Sequence, residues 1–285
     1  MNNDFYIWLR TSLFYDMNDW ESLLMNGIRP FLISAKETKY LNKFTIYLNQ
    51  KRGDNIRISF EVLFDKKEKF LSYFDHYFKD YLINNPSLSN VKHETSTEPL
   101  NLFKNFPNDS IQYNVYDPSL VNFSQNYPKE FESFGYFFSR ILLEKKYNRF
   151  SSYESIFEFS ISLHILMIRS FTINIRKANS LFEEILVKTD FNNLYLGIVP
   201  VLDSRFEKNK RTYLALFKNI WRSDYTALPY SKDWVDICKQ LTIKSSSFKD
   251  YSFTISRVLS EHLNLNNLEW FAPLYLCYKM TLNSK

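Results

Sequence analysis

Two short segments of alternating character, joined by a turn-rich connector, constrain this chain more than any other feature. Residues 44–49 and 55–62 are rich in β-branched and aromatic residues, and Gln50, Lys51, Arg52, Gly53 and Asp54 between them have the length and composition of a hairpin connector. In the second segment Ile56, Ile58, Phe60 and Val62 share one face while Arg57, Ser59 and Glu61 share the other, because successive strand side chains point to opposite sides. A sheet built on this hairpin must have one face covered and displays polar groups on the other. The cover follows at once. From residue 66 to residue 84, Phe70, Tyr73, Phe74, Tyr77, Phe78, Tyr81 and Leu82 recur at three- and four-residue steps, predicting a helix that Pro86 ends.

The rest of the chain extends this plan. Residues 5–10 predict a strand, residues 19–25 a short helix stopped by Gly27, and residues 111–116 a strand ended by Asp117 and Pro118. Pro86, Pro99 and Pro107, set among Ser, Asn and Thr, predict a long mobile connection over residues 86–110, a candidate lid. Apolar periodicity then predicts helices at 130–146, 152–169, 179–188, 205–221, 232–241, 249–262 and 267–281, with Ser151 and Glu154 spaced as a capping box. Strands first and helices later predict an α+β fold. Its antiparallel sheet comes from the N-terminal half with helices packed on it, the C-terminal half is mainly helical, and residues 1–285 are expected to form a single domain.

Composition removes several function classes. The formal net charge of +5 is mild and the basic residues are interspersed with acidic ones, so no nucleic-acid stripe is expected. Arg205, Lys208, Lys210 and Arg211 read as the solvated face of a helix, though a mild positive field suits an acidic peptide partner. The excess of 27 Phe and 20 Tyr accompanies many Lys, Asn and Ile, as an AT-rich genome supplies, and carries no functional weight. Cys238 and Cys277 lack CxxC spacing, which predicts neither a disulfide framework nor a zinc site. With glycine only at 27, 53, 135 and 197, no GxGxxG or P-loop fingerprint exists. His76, His93, His164 and His262 have no metal-ligand spacing, and no HExxH or GxSxG motif is present. His164 reads as a satisfied helix histidine and His262 as a helix C-terminal one. Without a basic N-terminal region or an apolar run near the ~20 residues that span a bilayer, no export and no membrane are expected, and a cytoplasmic location is.

Several segments, in order, resemble the C-terminal glutamate-elimination domain of class I lantibiotic dehydratases and its stand-alone relatives. An early aromatic strand, a Trp20-Glu21-Ser22-Leu23-Leu24 helix and Ile28-Arg29-Pro30-Phe31 precede Phe44-Thr45-Ile46-Tyr47, which is similar to the family's Phe-Ile-Arg-Tyr strand. Asn55-Ile56-Arg57-Ile58-Ser59-Phe60 resembles its His-Leu-Arg-Leu-Arg-Phe, Tyr116-Asp117-Pro118-Ser119 its Tyr-Glu-Pro-Glu, and Ser256-Arg257 its C-terminal Asn-Arg. The departures are equally informative. Ser59 stands at the second strand arginine, Asn55 at the histidine, no Arg-Tyr-Gly-Gly follows Tyr116, and Phe253-Thr254 replaces a histidine-containing stretch. Groups expected to eliminate glutamate are thus largely missing. That pattern is most similar to the thiopeptide pyridine synthases of thiocillin or micrococcin type.

The resemblance implies a formal [4+2] cycloaddition between two dehydroalanines of a leader-bearing precursor peptide, then loss of water and release of the leader as a carboxamide. It implies no metal and no organic cofactor. The partner is the ribosomally made precursor, with other thiopeptide maturation enzymes as further candidates. One dehydroalanine must react as an imidic-acid azadiene, so the site must exchange an amide proton and hold two alkenes together. Arg57 is the candidate donor to the imidate oxygen, Tyr47 and Tyr116 are candidate proton-relay phenols, Ser252 and Arg257 candidate contacts from the penultimate helix, and Arg29 a candidate holder of substrate or leader. Each has a structural alternative: packed sheet tyrosines, a buried ion-pair arginine at 57, a surface arginine at 29 and a helix-start serine at 252. Two rival functions stay open. One is an aminoacyl-tRNA-dependent or glutamate-eliminating enzyme, and the other a non-catalytic protein that presents a leader peptide.

Overall fold

The hairpin forms as its alternation requires. In the computed structural model, which describes residues 5–87, 105–114, 130–143, 152–189, 197–223, 228, 230–243 and 248–284, β2 (Leu41–Asn49) and β3 (Asn55–Leu63) pair antiparallel with Tyr47 opposite Arg57. Gly53 closes the turn at φ +111°, a left-handed conformation that favours glycine. Side chains fix its flanks: Asn49 accepts the Lys51 N–H at 2.8 Å, and the Asn55 carboxamide donates to the carbonyls of Gly53 at 2.7 Å and Lys51 at 3.2 Å. On the other side of β3 lies β1 (Tyr6–Phe14), followed by β4 (Ser110–Tyr113), giving the all-antiparallel order β2-β3-β1-β4. β1 continues past Arg10, where the aromatic-rich run ends. Thr11 and Ser12 carry on the ladder, and the Thr11 hydroxyl donates to the Ile58 carbonyl at 3.4 Å.

The chain divides into two compact units, Met1–Ser152 and Tyr153–Lys285. In the first, the apolar sheet face is covered by α2 (Arg29–Glu37) and α3 (Lys67–Asn84), and Phe31 of α2 is the hub. Its ring lies within 6.0 Å of Phe60 on β3 and 5.2–5.9 Å from Phe70, Tyr73, Phe74, Tyr77 and Phe78 on α3. The α3 sequence supplies two stripes at four-residue steps. Phe70, Phe74, Phe78 and Leu82 are buried, each contributing roughly 2–3 kcal/mol of apolar transfer. Tyr73, Tyr77 and Tyr81 instead donate hydroxyls to Ser34 Oγ (2.7 Å), the Gly27 carbonyl (3.1 Å) and the Ser22 carbonyl (3.3 Å).

Gly27 does not end a helix. A 3-10 turn (Met17–Asp19), α1 (Trp20–Ser22) and a π-helical turn (Leu23–Ile28) run directly into α2, so the Ile28–Phe31 connector is itself helical. The glycine is needed for close approach, since a Cβ there would stand 3.0 Å from Tyr81 Cζ. Pro30 lies in the first turn of α2, just after the π-helical turn. The open edge of β2 is met by α4 (Glu130–Leu142), whose Ser139 hydroxyl accepts the Ile46 N–H at 2.7 Å and donates to the Gly135 carbonyl at 2.7 Å. That contact occupies a backbone donor that an edge strand otherwise offers to any other chain.

The second unit is helical: α5 (Tyr153–Phe171), α6 (Ile175–Thr189), α7 (Val199–Lys208), α8 (Lys210–Arg222), α9 (Ser231–Ile243), α10 (Phe248–His262) and α11 (Asn267–Leu282). The chain is therefore α+β with a sheet near its N-terminus and a mainly helical C-terminal half, as its patterning predicts. α5 forms the centre, with Ile161 and Leu163 through Ile168 all buried. The single helix expected over 205–221 is two, broken at Asn209, whose φ of −113° leaves the helical region. A capping box occurs at α11, where Asn266 accepts the Leu268 and Glu269 N–H groups and Glu269 accepts the Asn266 N–H. Ser151, Tyr116 and residues 88–104 of the expected long connection lie outside the described residues. Among those described, no helix is long and apolar enough to cross a membrane.

Candidate active site on the polar face of the sheet

Opposite the aromatic core, the strand registers bring polar side chains into one row. Tyr47 of β2 and Ser12 of β1 are each the direct cross-strand partner of Arg57 of β3, so the three side chains rise from the same face, each flanking Cβ roughly 4.5–5.5 Å from that of Arg57. All three are buried, at 5%, 6% and 3% exposure. Arg57 Nε donates to Asn55 Oδ1 at 3.2 Å, and Asn55 is held in turn by the hairpin carbonyls. The guanidinium is thereby oriented by the same carboxamide that fixes the turn. Thr45, also buried, stands two residues before Tyr47 on this face, opposite Ser59.

Burial falls along the face. One row beyond Arg57, Ser59 is half-buried and Arg10 exposed, and beyond them Trp8 is 37% exposed opposite Glu61. The polar row therefore lies at the inner end of a face that opens to solvent along β1. A fixed guanidinium offers a planar donor fork, and hydroxyls beside it both donate and accept. Together they suit a carbonyl whose charge or tautomer changes during reaction.

The sequence-derived candidates are only partly gathered here. Tyr47 and Arg57 meet as cross-strand partners. Arg29, half-buried at the start of α2, belongs to the layer that packs on the apolar face, on the opposite side of the sheet from Arg57. Ser252 and Arg257 belong to α10 in the second unit. Ser252 is 1% exposed, whereas Arg257 turns outward and pairs with Glu261 at 3.4 Å with its side chain half exposed. Sequence reasoning did not single out Ser12 or Thr45, and saw Asn55 only as a departure from a motif. Extending the alternation of β1 past Arg10 was the available signal for Ser12.

The neighbour of Arg257, Ser256, is absorbed into the core. His164 Nδ1 donates to the Ser160 carbonyl at 2.7 Å, leaving Nε2 to accept the Ser256 hydroxyl at 2.8 Å, while Ser256 Oγ accepts the Trp270 indole N–H at 2.8 Å. Burial pushes the His164 pKa down to about 4, opposed in part by its backbone hydrogen bond. The unfolded chain takes up this proton near pH 6.5 and the folded one only near pH 4, so stability falls with pH across that window. About 2 kcal/mol should be lost between pH 7 and pH 5. Urea unfolding at the two pH values measures this, and His164→Leu should remove most of the difference; an unchanged difference places the titration elsewhere.

No family model and no curated protein sequence matches this chain. Among solved structures, the pyridine synthase TbtD from thiomuracin biosynthesis aligns with a TM-score of 0.69 at 13% identity, over 97% of this chain and 98% of that one. TsrL aligns with a TM-score of 0.58 at 11% identity, over 98% of this chain and 95% of that one. The fold is that of a thiopeptide pyridine synthase.

Proposed function

We propose that this protein is a thiopeptide pyridine synthase acting on a leader-bearing precursor with two dehydroalanines. The observation that carries the reading is the near full-length likeness to TbtD at a TM-score of 0.69. The polar row gives it a chemical basis. Arg57 donates to the oxygen of the amide that becomes the azadiene, while Tyr47 supplies a phenol beside it. One carbon–carbon bond then joins the methylene carbons of the two alkenes and a second joins the other carbon of the partner alkene to the former amide carbon, the hydroxyl on that amide carbon leaves as water, and the leader departs as a carboxamide. Glutamate elimination is disfavoured by Ser59, which cannot capture a carboxylate as a guanidinium does, and by Phe253, which cannot transfer a proton.

Two substrates offered separately test this: a bis-dehydroalanine precursor with its leader, and a glutamylated serine peptide. Mass spectrometry should find a macrocycle and a leader carboxamide from the first and no glutamate from the second. Glutamate release without a macrocycle overturns the assignment in favour of an eliminating enzyme. Binding of both without any mass change favours a presentation protein.

A further inference from the structure

Two hydroxyls beside Arg57 are not engaged by the fold. Ser12 and Thr45 are 3% and 7% exposed, and neither hydroxyl hydrogen-bonds to any described residue. Neither hydroxyl oxygen is sealed in the interior, so each is open to an incoming polar group. Ser12 is the better placed of the two, since it is the direct register partner of Arg57, whereas Thr45 is diagonal to it.

We infer that the Ser12 hydroxyl contacts the substrate amide and exchanges its proton, an inference that rests on the pyridine synthase reading. While Arg57 holds the amide oxygen, Ser12 Oγ accepts the proton from the amide nitrogen and passes its own hydroxyl proton to that oxygen. One N–H and one O–H bond break and two O–H bonds form, so Ser12 is regenerated and the amide becomes the imidic acid. The exchange requires a group that donates and accepts at once, and that excludes the neighbouring guanidinium.

The test compares the wild-type protein with Ser12→Ala and Ser12→Thr, using the dehydrated precursor with its leader. Ser12→Ala should slow macrocycle formation about 100-fold, the scale of a lost acid–base group. Its precursor affinity, read by fluorescence anisotropy, should stay within about twofold, and its urea midpoint should be unchanged or higher. Ser12→Thr should recover most of the rate. Undiminished turnover in Ser12→Ala, or equal losses in both variants, overturns the role of Ser12 alone. A wild-type protein that binds precursor but forms no macrocycle overturns the parent reading, and this inference with it.

Discussion

Arg57→Lys is expected to slow macrocycle formation by at least tenfold, about 1.4 kcal/mol of lost transition-state stabilisation. Lysine keeps the positive charge but has no planar fork and no Nε–H with which to meet Asn55 Oδ1, now 3.2 Å from Arg57. Its ammonium would be neither oriented by the hairpin nor shaped to grip an imidate oxygen. Arg57→Ala removes the donor altogether and should cost roughly 10²–10³ in rate, as loss of an oxyanion donor does. Single-turnover mass spectrometry on the dehydrated precursor measures both, with circular dichroism showing that each variant folds. A folded Arg57→Lys that turns over at the wild-type rate assigns Arg57 to sheet stability instead.

Phe31→Ala should produce the largest loss of stability, about 3–5 kcal/mol. The ring is fully buried and touches six others across α2, α3 and β3, so its removal leaves a cavity on several sides that rigid aromatic neighbours close poorly. Against a usual total of about 5–15 kcal/mol, that is a large share. Ile83→Ala provides the contrast, since Ile83 is 76% exposed on α3 and its loss should stay within about 0.5 kcal/mol. Urea denaturation compares the two, and similar midpoints would mean that the aromatic cluster is not what secures α3 to the sheet.

Much of the fold was legible because it rests on local periodicity. Alternation in residues 55–62 assigns Ile56, Ile58, Phe60 and Val62 to the core and Arg57 to the other face, and four-residue steps in residues 70–82 mark the covering helix. Both patterns follow from the pitch of a strand and of a helix. The places where such reasoning failed have a common cause. Gly27 was judged by local propensity and residues 205–221 by apolar periodicity, but Gly27 answers to the Tyr81 ring packed against it, and the helix breaks at Asn209 without any Gly or Pro signal.

The sequence by itself determined that a hairpin would carry Arg57 on a polar face, with Tyr47 a candidate beside it, and that helices would follow. Only the tertiary structure decided what stands next to Arg57. Ser12 reaches it because β1 enters between β3 and β4, a register between strands distant in sequence. Such a register is chosen by the summed packing of all pairs, and a one-residue slip would put Ser12 in the core and Thr11 on the polar face. On α10, adjacent Ser256 and Arg257 look like one motif, yet the helical turn of ~100° per residue sends the first into the His164 network and the second to solvent. Neighbourhood in the chain is a matter of composition and period; neighbourhood in space is settled by which surfaces must be buried together.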